Sequence, residues 1–184
     1  MIRTRMRYLL IAPLALIASL ALIGGSMSQA SAQQELWEIT RPSSGSVRYV
    51  THGSRVHTHE FGFAKQKGRC DADDLWLTLS STDAQLASLR GLKIRLLVRI
   101  DDTRFEMSAD LRATRSLAPQ FKIAVFTGLI ADRQLLDHLD KGRKMTIAVG
   151  GPPKAEQAFG GSNEAFDLAG FTEARRQAEA ACNG

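Results

Sequence analysis

The segment LKIRLLVRIDDTRFEMSADLRAT, residues 92–114, has the most regular pattern in the chain. Apolar and polar residues alternate on both sides of a short polar stretch, Asp101, Asp102 and Thr103. Alternation with a period of two is typical of a strand with one buried face, and two such runs joined by a turn predict an antiparallel hairpin. The apolar positions are Leu92, Ile94, Leu96, Val98 and Ile100 in the first run, and Phe105, Met107, Ala109, Leu111 and Ala113 in the second.

The register of this hairpin follows from keeping the two apolar faces together. Pairing Ile100 with Phe105 does this and gives opposite-charge pairs on the outer face, Arg99 with Glu106 and Arg95 with Asp110. Such cross-strand pairs contribute a few tenths of a kcal/mol each. We therefore interpret the arginine row as a charge-compensated solvent face. The alternative is a patch that binds a ligand.

Both strands and helices are predicted outside the hairpin. Shorter alternating runs predict strands over residues 35–40, 47–51, 55–63, 75–80, 121–125 and 145–149. A helix is predicted over residues 129–139, stopped by Lys141 and Gly142, and a loose loop over residues 150–163. A last helix follows Gly170. These elements predict an α+β fold, a mostly antiparallel, sandwich-like sheet with two helices in the C-terminal half.

The first 32 residues are typical of a signal peptide. Three arginines at positions 3, 5 and 7 precede an apolar run over residues 8–23, and Ala30-Ser31-Ala32 offers a small-residue cleavage site. The alternative, an uncleaved membrane anchor, fits less well because the apolar run is short for a bilayer span. We therefore predict a signal peptide over residues 1–32 and a single exported, β-rich domain over residues 33–184, periplasmic or secreted, with no transmembrane segment after cleavage.

Charge argues against a nucleic-acid partner. The formal net charge of the whole chain is +5, and the segment 1–32 contributes three arginines and no acid, so residues 33–184 have 5 − 3 = +2. An exported chain with mixed charges does not have the strongly basic surface that nucleic-acid binding requires.

The two cysteines, Cys70 and Cys182, predict one disulfide, because export leads to an oxidising compartment. A reactive thiol is the alternative, but no Cys-X-X-Cys pair and no lone cysteine near a histidine support it. The bridge would attach the last helix to the middle of the chain.

His57 and His59 form the nearest approach to a chemical site. Two residues apart on a strand, their side chains would point to the same face, and paired imidazoles can begin a zinc or copper site. Spacing supplies no third ligand, since His138 falls on a predicted helix and Glu60 faces the other side of the strand. The alternative is that both histidines lie on a solvent face of the sheet.

The C-terminal residues predict how the last helix packs on the sheet. Gly170 suits a backbone turn that a larger residue would strain, and Phe171, Ala174, Ala178 and Ala181 form a narrow apolar stripe on the last helix. Small alanines would let this helix lie close to the sheet.

The C-terminal third resembles the invasion-associated locus B family and related small exported bacterial proteins. The similar features are the helix at 129–139 with its basic-glycine stop and strand at 140–149, and FDLAGFTEA, residues 166–174, leading into the last helix. The resemblance implies a periplasmic or envelope location and a β-rich fold, and it carries over no catalytic residue.

No nucleophile-elbow, dinucleotide-binding or paired metal-binding motif occurs in the sequence, and no cofactor is predicted. The leading hypothesis is a non-enzymatic periplasmic or envelope protein that binds another protein, with a host-facing, invasion-associated role as one version. The alternative is a metal-binding or hydrolytic protein that uses the His57/His59 face.

Overall fold

The computed structural model describes residues 36–42, 45–161 and 163–184. The predicted signal peptide and its cleavage site lie outside the described residues. The described residues belong to one compact unit, Gln34–Gly184.

In the described part of the chain, nine β-strands form one continuous antiparallel sheet in the order β1-β2-β3-β4-β7-β6-β5-β8-β9. The strands are β1 (Trp37–Thr40), β2 (Ser46–His52), β3 (Glu60–Gln66), β4 (Arg69–Ser81), β5 (Lys93–Ile100), β6 (Thr103–Ala118), β7 (Phe121–Thr127), β8 (Lys144–Val149) and β9 (Asn163–Asp167). The predicted α+β class with a mostly antiparallel sheet is confirmed.

Three α-helices and one 3₁₀ helix accompany the described strands. They are the 3₁₀ helix Ala84–Leu89, α1 (Arg133–Lys141), α2 (Pro153–Ala158) and α3 (Phe171–Asn183). The loop predicted over residues 150–163 was wrong in part, because it contains α2. Pro153 occupies the first helical position, where the missing N–H of proline costs nothing.

Helix α1 begins later than predicted. The Asp132 carboxylate accepts the Leu135 N–H at 2.7 Å and caps the helix, so the first helical residue is Arg133. Leu129 lies before the cap, and its carbonyl accepts the Leu75 N–H at 2.7 Å. The predicted end of the helix at Gly142 is confirmed.

The β5–β6 hairpin forms as predicted, but its register differs by two residues. Ile100 pairs with Thr103 and Val98 with Phe105. The turn is tighter than expected because Asp101 adopts a positive φ of 47° and its carboxylate accepts the N–H groups of Arg143, just before β8, and Lys144, the first residue of β8. The apolar faces still coincide, since a shift of two residues preserves them.

The outer-face charge pairs predicted from the earlier register were wrong. Arg99 lies opposite Arg104, not Glu106, and Arg95 lies opposite Ser108, not Asp110.

An aromatic cluster anchors α3 on the sheet. Phe171 is buried, with its ring centroid 5.3 Å from that of Trp37, 6.0 Å from Tyr49 and 6.1 Å from Phe63. Fully burying one such aromatic side chain contributes about 1.5–3 kcal/mol. The first three strands and the last helix therefore share one part of the core.

The sheet curves so that Gly53, which follows β2, reaches the edge strand β9. Gly53 forms a bridge with Phe166, and the Ser54 N–H donates to the Ala165 carbonyl at 2.8 Å. A Cβ at Gly53 would lie 2.7 Å from both the Glu164 Cδ and the Val56 carbonyl oxygen, so only glycine fits there. This contact brings segment 53–59 onto β9.

Candidate functional site

The last helix is attached to the sheet covalently. Cys70, near the start of β4, and Cys182, near the end of α3, form the predicted disulfide across a sequence separation of 112. Gly170 has φ +86° immediately before the helix, the conformation for which a glycine was expected.

The predicted apolar stripe of α3 is mostly present. Phe171, Ala174 and Ala178 are buried, but Ala181 is half-buried and Cys182 takes the last buried position. Gly170 thus immediately precedes the helix, and Phe171 and Ala174 lie on its buried side.

A buried ionic cluster supplies a second attachment. The Asp73 carboxylate is fully buried, and its Oδ1 lies 2.7 Å from the Lys65 Nζ and accepts the Tyr49 hydroxyl at 2.7 Å. Its Oδ2 accepts the Nε–H of Arg175, on α3, at 2.8 Å. The remaining contact of Lys65 is a hydrogen bond to the Cys70 carbonyl at 3.0 Å.

This cluster determines which of its members are charged. Burial alone would raise the pKa of Asp73, but hydrogen bonds from Lys65, Tyr49 and Arg175 outweigh burial and lower that pKa below its ordinary value of 3.8. Burial, followed by the Asp73 charge, raises the pKa of Tyr49. Asp73 is therefore an anion that accepts from three donors.

His57 and His59 do not share a strand face. The predicted strand over residues 55–63 begins only at Glu60, and His57 lies exposed before it, with its ring centroid 4.3 Å from that of His52. His59 is buried and turns toward β4 and β9 instead. The same-face geometry was wrong because residues 54–59 are not in a strand, and the Glu164 carboxylate on β9 accepts the backbone N–H groups of Arg55 and Val56.

Within the described ranges, no group of three or more His, Cys, Asp or Glu side chains is arranged to hold a metal ion.

His59 joins a serine and a glutamate that lie far apart in sequence. Its Nδ1 is 2.7 Å from the Glu164 Oε2 and its Nε2 is 2.7 Å from the Ser80 Oγ. The Ser80 backbone N–H also donates to Nε2 at 2.8 Å. Because Nε2 accepts a backbone N–H, it carries no proton, and the ring proton is on Nδ1, directed at Glu164.

The carboxylate of Glu164 is held firmly on both oxygens. Oε1 accepts the N–H groups of Arg55 and Ala165, both at 2.9 Å, and Oε2 accepts the Val56 N–H at 3.1 Å. Glu164 and His59 are both buried, whereas Ser80 is half-buried. The orientation of the imidazole is therefore fixed from the β9 side.

A surface depression of about 420 Å³ adjoins Ser80. Phe121, Gln157 and Phe159 also line this depression. Ser80 is the least buried member of the cluster and the one that lines the depression.

The outer face of β5 and β6 forms a second candidate site, here called the arginine face: Arg95, Leu97, Arg99 and Arg104. All four residues are exposed, and Leu97 is 41% exposed. Glu106 lies 4.0 Å from Arg95. Among the described residues, neither Arg99 nor Arg104 has an ion-pair partner.

The sequence does contain a signal for the buried cluster. Lys65 follows Phe61 and Phe63 at a spacing of two, and Asp73 precedes Leu75 and Leu77 at the same spacing. Each charged residue therefore lies on an apolar face of its strand. No comparable pattern points to Ser80 or Glu164, because their partner His59 is 21 and 105 residues away.

Comparison with known proteins shows a likeness of fold. No family model and no curated protein matches the sequence. The crystal structure of invasion associated protein B from Bartonella henselae superimposes with a TM-score of 0.50 and 14% sequence identity, covering 79% of this chain and 93% of that one.

Within the described residues, no helix combines the length and the apolar character needed to span a membrane.

Proposed function

We propose that this chain is an exported protein of the bacterial envelope, periplasmic or secreted, that binds another protein through the arginine face. The observation that carries the proposal is the direct opposition of Arg99 and Arg104 on neighbouring strands. Like charges placed directly opposite each other destabilise a sheet. Departures from locally favourable pairing concentrate at functional sites, which supports a binding role for this pair.

The chemistry of the arginine face favours an acidic protein surface as the partner. Two guanidinium groups without an ion-pair partner in the described part of the chain lie beside Leu97, an exposed apolar side chain. Arginine is enriched in protein interfaces, and its planar fork can bind a carboxylate through two hydrogen bonds. Complementary charge would also accelerate association.

Two observations support export. A disulfide between Cys70 and Cys182 is typical of proteins that fold outside the cytosol. The structural neighbour is described as invasion associated, and an invasion-related, host-facing role for this chain extends the proposal on the basis of that likeness.

The test is cross-linking in cells that export the tagged protein, followed by mass spectrometry. The variant Arg99→Glu/Arg104→Glu should lose the dominant partner, with affinity at least about tenfold weaker, since like-charge contacts across an interface cost several kcal/mol. The control is Lys67→Glu/Arg133→Glu, which changes the net charge equally at two exposed positions on β3–β4 and α1.

Loss of the partner only in the first variant supports the arginine face. Equal recovery of the same partner by wild type and both variants would exclude this face. Recovery of no specific partner by the wild-type chain would count against the binding function itself.

A further inference from the structure

We propose that Ser80, His59 and Glu164 form an acyl-transfer site that reacts with small esters at the depression beside Ser80. This site is independent of the arginine face and of the proposed partner. Its three side chains come from β4, from the segment before β3, and from β9, which the curvature of the sheet brings together.

The distances match those of a nucleophile activated by a base. A base must lie within about 2.6–3.2 Å of the heavy atom whose proton it removes, and the His59 Nε2 lies 2.7 Å from the Ser80 Oγ. A third group must orient the base, and the Glu164 Oε2 lies 2.7 Å from Nδ1. Three backbone N–H groups fix Glu164, so the imidazole has one orientation.

The tautomer of His59 is the one that this chemistry needs. Serine activation requires an unprotonated Nε2 and a proton on Nδ1 facing the carboxylate. The backbone N–H of Ser80 enforces this state, because it donates to Nε2 at 2.8 Å. The same bond draws on the lone pair that must accept the hydroxyl proton, so we expect acylation to be slow.

The reaction balances without any cofactor. The Ser80 Oγ attacks the ester carbonyl carbon while the hydroxyl proton moves to the His59 Nε2. The tetrahedral intermediate collapses, the C–O bond to the alcohol breaks, and the alcohol leaves with the proton from Nε2. Water then attacks the acyl-serine, passing its proton through Nε2 to the Ser80 Oγ, and a carboxylic acid is released.

The depression suits a small acyl or aryl group. Its volume is about 420 Å³, and Phe121 and Phe159 offer apolar contact. Gln157 adds a side-chain amide that can donate to an acyl oxygen. Glu164 acts through His59 and is a positioning residue, whereas Ser80 and His59 are catalytic.

The test is covalent labelling of the oxidised, purified chain with a fluorophosphonate, with the labelled residue located by mass spectrometry. Wild type should react at Ser80 about 100-fold faster than urea-unfolded chain, as expected for base-assisted attack. Ser80→Ala should lose the label, and the control Ser88→Ala, at an exposed serine in the 3₁₀ helix, should keep it.

The other members of the site have readouts that folding alone would not move. In His59→Ala, added imidazole should restore part of the labelling rate. Glu164→Gln should slow labelling at Ser80, and Glu164→Asp should recover part of it. Absence of labelling at Ser80 in folded wild type, or equal labelling of wild type and Ser80→Ala, would overturn the proposal.

Discussion

Removal of the Cys70–Cys182 bridge measures how much the disulfide contributes to the free energy of unfolding. The bridge closes a loop of 112 residues. The chain-entropy model assigns such a loop about 5 kcal/mol at 25 °C, mostly by restricting the unfolded chain. Because domains of this size are stable by about 5–15 kcal/mol, the loss would be a large fraction of the total.

The variant is Cys70→Ala/Cys182→Ala, and its matched control is the wild-type chain with the bridge reduced. Urea unfolding can be followed by tryptophan fluorescence, since Trp37 packs on Phe171 at the start of α3. For a denaturant dependence of about 2 kcal/mol per M, the midpoint should fall by about 2.5 M. The slope should also rise, because the unbridged unfolded chain exposes more surface.

A loss below about 1 kcal/mol in both forms would refute the entropic reasoning. Hydrogen exchange that is faster in α3 alone, in the unbridged forms at zero denaturant, would also refute it. The bridge would then be restraining the native helix rather than the unfolded chain. The ion pair between Arg175 and Asp73 is the reason to expect α3 to stay docked without the bridge.

Two further substitutions test the charges of the sheet. Asp73→Asn should cost about 3–5 kcal/mol, because it leaves the buried Lys65 and the half-buried Arg175 without their anion, whereas the exposed Asp71→Asn should be near neutral. The folded-state pKa of Asp73 is lowered, so its contribution is full above pH 3.8 and is lost as the pH falls further; urea titrations should show the gap between wild type and Asp73→Asn closing there. Arg104→Glu should raise the free energy of unfolding by about 0.2–1 kcal/mol, because it places an opposite charge across from Arg99. No change, or a decrease, in a urea titration would contradict that reading of the pair.

Alternation in the sequence predicted which face of each strand is buried, but not which residues pair. The hairpin at residues 92–114 has the expected inner face, and Ile94, Leu96 and Val98 are buried. Its register depends on the turn, and the turn depends on hydrogen bonds that the Asp101 carboxylate accepts from backbone N–H groups more than 40 positions away. Local pattern contains no such information, so the charge pairs derived from it failed.

The segment that contains His57 and His59 shows the same limit of local sequence pattern. A spacing of two places His57 and His59 on one face only if both residues are in a strand. Gly53, however, bridges to Phe166, and the buried Glu164 carboxylate accepts N–H groups from the segment that follows. The candidate site of Ser80, His59 and Glu164 therefore depends on how the sheet curves, and no local pattern reports curvature.

The two faces of the sheet differ in how their charged residues are arranged. Inside, Lys65 and Asp73 are fully buried and paired, because an unpaired buried charge would cost several kcal/mol. Outside, Arg99 and Arg104 have no ion-pair partner among the residues that the structure describes, and water lowers the cost of this to a fraction of that amount. A register two residues longer would have placed Arg99 opposite Glu106 and kept the same buried face. The bonds that Asp101 accepts select the shorter turn instead, so the opposition of Arg99 and Arg104 follows from the way the start of β8 holds the hairpin. Because the arginine face does not include core residues, its substitution should change partner affinity without unfolding the chain.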